Sequence, residues 1–143
     1  MVELTSEDLS YFEAFEKVTG VIPKDYINSD SMILFIVDPQ EVGKAISKDG
    51  VHITKLKNTF RKKVSIIADA EDPESFVRQF FNNIGIVSVE VRDVMGEQAV
   101  MLTIDEKDRG LAIGKEGERI KALKLLLKKK FNGTIHLRTK RSI

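Results

Sequence analysis

An internal repeat constrains the fold of this chain more than any other feature of its sequence. A shift of 67 residues aligns the chain with itself without a gap. Eight residues of segment 43–57 are identical to their counterparts in segment 110–124. Upstream, the apolar run 33–37 falls on the run 100–104, and an aspartate follows each run. Self-similarity at a fixed offset is typical of a chain that builds one structural unit twice.

Each copy predicts the same order of elements, α-β-β-α-α-β. The prediction rests on apolar periodicity, on breaks at glycine and proline, and on residues that can cap a helix start, Thr5 or Ser6 in the first copy and Asp72 in the second. The first copy has predicted helices at residues 6–19, 41–46 and 51–62, and predicted strands at 21–28, 32–37 and 64–68. The second copy has predicted helices at residues 73–84, 107–113 and 118–130, and predicted strands at 86–92, 99–104 and 134–138. The sequence therefore predicts an α+β protein, an α/β sandwich in which helices cover a three-stranded sheet, with one domain at 1–70 and a second at 71–143.

The net charge of only +1 hides an alternation of charge along the chain. Residues 41–63 carry seven basic and two acidic side chains, and residues 107–130 carry nine basic and three acidic ones. Residues 1–40 and 64–106 are strongly acidic. Solvated helix faces explain any one of these blocks, but a basic block recurs at the same place in both copies. Clustered lysine and arginine is what binding to a phosphate backbone requires.

A short loop between two predicted helices carries the most specific motif of each copy. Residues 113–117 read Ile-Gly-Lys-Glu-Gly, and an isoleucine lies three residues after the second glycine. Residues 46–50 read Ile-Ser-Lys-Asp-Gly with the same isoleucine, so a serine replaces the first glycine. This pattern resembles that of the K-homology (KH) family, whose mark is Ile-Gly, two free positions and a second glycine between two helices. The order α-β-β-α-α-β resembles the type II version of the KH fold.

Two such units in direct succession resemble the RNA-binding part of the NusA family of transcription elongation and termination factors. The resemblance covers nearly the whole chain. Bacterial members also have a polymerase-binding N-terminal domain and an S1 domain, and 143 residues leave no room for either. The resemblance is therefore to the shorter archaeal members. It implies a protein that is not an enzyme, needs no cofactor, binds single-stranded RNA and contacts RNA polymerase.

The physical chemistry of the loop agrees with RNA binding. Glycine has no Cβ, so its backbone can approach a ligand closely. The helix that follows offers free N–H groups and the positive end of its dipole to an anion. The KH module clamps about four backbone nucleotides on such a loop. Apolar residues beside the loop should form the floor of a groove, and the last strand, 134–137, should form its wall opposite the loop. A groove this narrow would accept a single strand and exclude a duplex.

We therefore predict an RNA site in each copy, composed of the loop, the apolar residues beside it and the surrounding basic side chains. In the second copy the candidate residues are Gly110, Ala112, Ile113, Gly114, Lys115, Glu116, Gly117, Arg119, Ile120, Lys121 and His136. In the first copy they are Lys44, Ile46, Ser47, Lys48, Asp49, Gly50, Ile53 and Lys55. The second copy is expected to dominate RNA affinity, because Ser47 places a Cβ where Gly114 has none.

Other chemistry finds little support in the sequence. Residues 110–116 resemble a phosphate-binding P-loop, but they place three residues rather than four between the glycines and an acid where that motif has serine or threonine. The two histidines, His52 and His136, have no clustered metal ligand or catalytic partner, and the chain has no cysteine. We therefore expect no catalytic residue, no metal site and no small-molecule substrate.

The sequence also predicts a cytoplasmic protein with no membrane partner. No apolar run approaches the roughly 20 residues that span a bilayer. The acidic start of the sequence lacks the pattern of a signal peptide, and the absence of cysteine is compatible with an intracellular protein.

Three functions fit these features. The leading one is a transcription factor that acts in termination or antitermination through nascent RNA and RNA polymerase. The second is a ribosome-associated or RNA-processing protein, because a fold does not fix the cellular role. The third is a protein-interaction module with weakened RNA binding. Ser47 supports that hypothesis for the first copy, because it replaces the first glycine of the motif.

Overall fold

The computed structural model describes residues 4–141 of the chain. The chain divides into two compact units, and the boundary falls between Asp69 and Ala70. We call them unit 1 and unit 2. Among the described residues, no helix is long and apolar enough to cross a membrane.

Unit 1 is a three-stranded sheet with helices packed on it. Its elements are α1 (Ser6–Thr19), β1 (Asp25–Asn28), β2 (Met32–Val37), α2 (Val42–Ile46), α3 (Val51–Phe60) and β3 (Lys63–Ala68). The central strand, β2, is antiparallel to β1 and parallel to β3. All six residues of β2 are buried, which confirms the buried strand predicted from the continuous apolar run. Phe15 of α1, Phe35 of β2 and Leu56 of α3 are fully buried in the core.

Unit 2 has the same order of elements. They are α4 (Pro73–Phe80), β4 (Ile86–Val94), β5 (Glu97–Asp105), α5 (Arg109–Ile113), α6 (Glu118–Phe131) and β6 (Gly133–Lys140). The central strand, β5, is antiparallel to β4 and parallel to β6. The sequence predicts burial of the whole run 99–104, but Met101 and Thr103 are only partly buried, because side chains alternate between the two faces of a strand. The predicted α+β class, a three-stranded sheet with helices, is confirmed.

Side chains cap the first helix of each unit. The Thr5 hydroxyl accepts from the Asp8 N–H at 3.0 Å, and the Asp8 carboxylate accepts from the Thr5 N–H at 2.9 Å, which together form a capping box. The Asp72 carboxylate accepts from the N–H and the hydroxyl of Ser75 at 2.7 and 2.8 Å. These two bonds hold the pKa of Asp72 below its usual range, because they stabilise the charged form. The cap at Asp72 was expected from the sequence, and of the two candidates for the first helix, Thr5 and Ser6, the structure uses Thr5.

Helix α4 is shorter than the sequence predicts. The predicted helix runs to Gly85, but α4 ends at Phe80. In a continued helix the Ile84 N–H would donate to the Phe80 carbonyl; it donates to the Phe81 carbonyl instead, at 3.1 Å. The Phe80 carbonyl accepts a hydrogen bond from Arg119. The predicted apolar side chains of this segment are buried all the same.

The start of β1 is also later than predicted. The expected strand covers residues 21–28, but β1 begins at Asp25. The Lys24 N–H still donates to the Ile36 carbonyl at 2.7 Å. Pro23 has no N–H to continue the ladder, so pairing ends there. Each of the two short helices is preceded by a 3-10 turn, Pro39–Glu41 in unit 1 and Glu106–Asp108 in unit 2.

Candidate nucleic-acid interface

The loops between the short and the long helix have the same backbone conformation in both units. Three of the four loop residues have positive φ in each unit: 79°, 55° and 75° for Gly114, Glu116 and Gly117, and 69°, 58° and 66° for Ser47, Asp49 and Gly50. The fourth residue of each loop also donates its N–H to the carbonyl of the first, at 3.1 Å in unit 2 and 3.2 Å in unit 1. The sequence repeat is therefore also a repeat of loop geometry.

Both the backbone conformation at position 114 and the atoms around it require a glycine there. Its φ of 79° and ψ of 173° lie in a region that is nearly restricted to glycine. A Cβ added there would lie 2.7 Å from the Cβ of Arg119 and 3.0 Å from its backbone nitrogen. Ser47 has the same conformation, φ 69° and ψ 169°, and is therefore strained.

The long helices that follow the loops begin without a side-chain cap. Neither Gly50 before α3 nor Gly117 before α6 offers a side chain to the first turn, in contrast to the capped starts of α1 and α4. The first N–H of each helix donates back into the loop, from Glu118 to the Lys115 carbonyl and from Val51 to the Lys48 carbonyl. The next N–H groups of a helix start have no partner within the helix, and the helix dipole makes that end positive. Each loop therefore leads into a helix start that favours an anion.

The apolar candidates divide into half-buried and fully buried positions. Ile113 and Ile120 in unit 2 are half-buried, as are Ile46 and Ile53 in unit 1. Ala112 is fully buried, as is its counterpart in unit 1. The prediction that Ala112 floors the groove is therefore wrong in this structure, because its small side chain lies inside the core at the base of a short helix. The isoleucines have the partial exposure that a groove floor needs.

The charged side chains of the unit 2 loop face solvent. Lys115 and Glu116 are exposed, and the exposed Lys121 donates from Nζ to the Glu116 carbonyl at 3.3 Å. A Cβ added at Gly110 would have no neighbouring atom within 4 Å, so the space around this position does not require a glycine. This loop therefore presents two lysines at the start of α6, and one of them lies against the loop backbone.

The first copy presents its charges differently. Lys48 and Asp49 are exposed on the loop, and Lys55 is exposed on α3. By the repeat, Lys55 matches the buried Ala122 rather than Lys121. The Lys44 side chain lies against the end of α1, with its Cε 3.3 Å from where a Cβ on residue 20 would stand. Only Lys48 therefore has a direct counterpart among the lysines of the second loop.

Arg119 does not extend toward solvent as the sequence-based prediction assumed. Its guanidinium donates to the Leu111 carbonyl at 3.0 Å, to the Phe80 carbonyl at 3.3 Å and to Asn83 Oδ1 at 2.7 Å. Its Cζ also lies 5.0 Å from the ring centroid of Phe81. Burial lowers the pKa of Arg119, but a guanidinium stays protonated. These contacts, which sequence analysis missed, occupy the group that was expected to meet a phosphate.

His136 is exposed on β6, but on a different face from the helices. Side chains alternate along the strand, and the neighbouring Ile135 is buried toward the core. The His136 ring contacts the Thr134 hydroxyl at 3.3 Å and pairs across the sheet with Met101. Strand β6 is an edge strand, so one side of its backbone is available to pair with a ligand.

The described part of the chain offers no competing chemistry. In residues 4–141 no group of three or more histidine, cysteine, aspartate or glutamate side chains is placed to hold a metal ion. The carboxylates of the described residues cap helices, accept from the Tyr26 hydroxyl or from loop N–H groups such as that of Gly85, or form ion pairs such as that of Glu74 with Arg78. The loops and helix starts remain the features suited to a ligand.

This fold and this loop define a KH-domain protein: the family profile of the KH domain matches residues 71–143, so the chain belongs to the KH-domain family. Along its length the chain is similar to archaeal proteins named NusA. It is 33% identical over 126 residues to the probable transcription termination protein NusA of Methanocaldococcus jannaschii, covering 87% of this chain and 69% of that protein. It is 28% identical over 131 residues to the protein of the same name from Halococcus morrhuae, covering 92% and 94%.

A solved structure is also similar. The crystal structure of APE1850 matches with a TM-score of 0.76 and 30% sequence identity, over 95% of this chain and 99% of that one. KH domains are RNA-binding modules without enzymatic activity. Membership of that family confirms the expectation that this chain is not an enzyme.

Proposed function

We propose that this chain is a single-stranded RNA-binding transcription factor of the NusA type, which acts in termination or antitermination through nascent RNA and RNA polymerase. The observation that carries the proposal is the loop at 114–117, whose glycines and exposed lysine lead into the uncapped start of α6. The names of the archaeal relatives support the role in transcription. The polymerase contact comes from that similarity alone.

We infer further that both units are type II KH domains in tandem, at residues 1–70 and 71–143. The family profile matches the second of these. For the first, support comes from the repeat, the shared order of elements and the shared loop backbone. Because Ser47 replaces the first glycine, unit 2 is proposed as the stronger RNA site.

The chemistry of the loop favours a sugar-phosphate backbone. Phosphate oxygens accept from free N–H groups at a helix start, and Lys115 and Lys121 add positive charge there. The half-buried Ile113 and Ile120 give an unstacked base an apolar surface. The N–H and C=O groups on the free edge of β6 can pair with the edge of that base. A single strand supplies accessible bases, whereas the bases of a duplex are already paired.

RNA affinity is expected to fall steeply with salt. A single strand releases about 0.7 counterions per neutralised phosphate, and the loop is expected to clamp about four nucleotides. The logarithm of the binding constant should therefore fall with the logarithm of salt concentration with a slope of about −2 to −3. Fluorescence anisotropy with an unstructured RNA at several salt concentrations measures this slope. A slope near zero would contradict binding through phosphates.

Crosslinking in cell extract tests the cellular role. The tagged chain is crosslinked, and both the RNA and the proteins recovered with it are identified. Nascent transcripts together with RNA polymerase subunits are the expected result. Mature ribosomal RNA with ribosomal proteins would instead support the ribosome-associated alternative. Recovery of proteins without RNA would support a protein-interaction module.

A further inference from the structure

Arg119 links three segments of unit 2 around the loop. Its Nη1 donates to the Leu111 carbonyl in α5, and its Nη2 donates to the Phe80 carbonyl at the end of α4 and to Asn83 Oδ1 just beyond. Both carbonyls lie at helix ends, where they have no partner within the helix. A guanidinium presents several donors in a fixed plane, so one side chain satisfies all three acceptors.

The base of the same side chain lies directly beneath the loop. The first loop residue, Gly114, has room for no Cβ because the Cβ and backbone nitrogen of Arg119 are too close. The guanidinium therefore fixes the orientation of a side chain on which the loop backbone rests. Moving that side chain would change the loop conformation, and with it the N–H groups offered to a phosphate.

Unit 1 has a simpler form of the same link. By the repeat, His52 matches Arg119 and Lys44 matches Leu111. The His52 ring lies 3.0 Å from the Lys44 carbonyl through Nδ1, and since a carbonyl can only accept, Nδ1 is the donor. Within the described residues of unit 1, His52 has no second hydrogen bond that reaches the end of α1. Both units thus have a hydrogen bond from the long helix to the short helix. Only in unit 2 does the same side chain, Arg119, also bond to the end of the first helix of its unit.

We propose that Arg119 is a positioning residue, which holds the unit 2 loop in its RNA-binding geometry and neutralises no phosphate itself. This inference rests on the proposed RNA-binding function. It predicts that the planar guanidinium is required, and that positive charge alone at this position is insufficient. A lysine keeps the charge but cannot reach all three acceptors in one plane.

The test compares Arg119→Lys with Arg119→Met in the full chain. RNA affinity is measured by anisotropy, and amide hydrogen exchange of residues 114–117 is measured by NMR in the protein without RNA. Both variants are expected to bind RNA about tenfold more weakly and to exchange these amides faster. The matched control Arg78→Lys, on the exposed side of α4, is expected to change neither quantity. Lys115→Met removes a proposed phosphate contact instead. It is expected to weaken RNA binding without changing the amide hydrogen exchange of residues 114–117 in the protein without RNA.

Two results would overturn the proposal. The first is that Arg119→Lys binds RNA with the affinity of the parent while Arg119→Met binds more weakly, because a positive charge alone would then be sufficient for RNA binding. The second is unchanged exchange at residues 114–117 in both variants. If either variant fails to fold, Asn83→Ala removes one acceptor only, and its loop amides should still exchange faster. A parent chain that binds no RNA would refute the proposed function, while the exchange rates would still decide whether Arg119 holds the loop.

Discussion

The double variant Lys115→Asp, Glu116→Asp is expected to lose RNA affinity by at least about tenfold, because replacing a lysine and a glutamate by two aspartates makes the proposed phosphate site more negative by two charges. The fold should be retained within about 0.5 kcal/mol, since both side chains are exposed. Residue 116 has a φ of 55°, and unit 1 already places an aspartate, Asp49, in that conformation with a φ of 58°. Titration against one unstructured RNA measures the loss, and circular dichroism checks the fold.

The matched variant in unit 1 is Lys48→Asp, which creates the same pair of acids beside Asp49. It is expected to weaken binding less than the unit 2 variant, because Ser47 already places a side chain where the other loop has none. A larger loss in unit 1 would reverse the ranking of the two loops. If both variants remain folded and neither loses affinity, the loops are not the RNA site.

The substitution Gly114→Ser is expected to destabilise unit 2 by about 2–6 kcal/mol. The added Cβ would lie 2.7 Å from the Cβ of Arg119, and overpacking of this kind typically costs about 1–3 kcal/mol. The backbone conformation, nearly restricted to glycine, adds about another 1–3 kcal/mol. Urea unfolding followed by NMR signals of unit 2 measures the change. A stability within about 0.5 kcal/mol of the parent would show that the loop relaxes easily.

The reverse substitution, Ser47→Gly, is expected to stabilise unit 1 by about 1 kcal/mol. Glycine adopts the φ of 69° and ψ of 169° without strain, which stabilises the folded state by about 1–3 kcal/mol. The greater entropy of glycine in the unfolded chain opposes this gain by about 0.4–1 kcal/mol. The same urea titration, followed by signals of unit 1, is the measurement. A less stable variant would mean that the serine side chain makes a compensating contact in this loop.

Local sequence patterns were sufficient for much of the fold. The apolar run of β2 predicted a buried central strand, and Thr5 and Asp72 predicted two helix starts, because strand burial and capping depend on neighbouring residues. The glycines and isoleucines likewise placed the loop between two helices. Each of these signals extends over only a few residues along the chain.

The roles of Arg119 and Ala112 could not be predicted from sequence in the same way. Arg119 reaches acceptors that lie 36 and 39 residues earlier in the chain, and nothing in its neighbourhood distinguishes it from a solvent-facing arginine. The same long-range contact gives a partner to the Phe80 carbonyl at the end of α4, where the helix supplies none. Ala112 was assigned to the groove by its place beside the loop, but packing of the short helix buries it fully.

An amide-resolved NMR titration of the chain with an unstructured RNA locates the RNA-binding surface directly. The largest shifts are expected at residues 114–117, at the start of α6 and along the free edge of β6, with smaller shifts at residues 47–50. The shifts should shrink at high salt, as binding through phosphates requires. Large shifts elsewhere with none at residues 114–117, or no shifts at low salt, would contradict the assignment of this loop as the RNA-binding site.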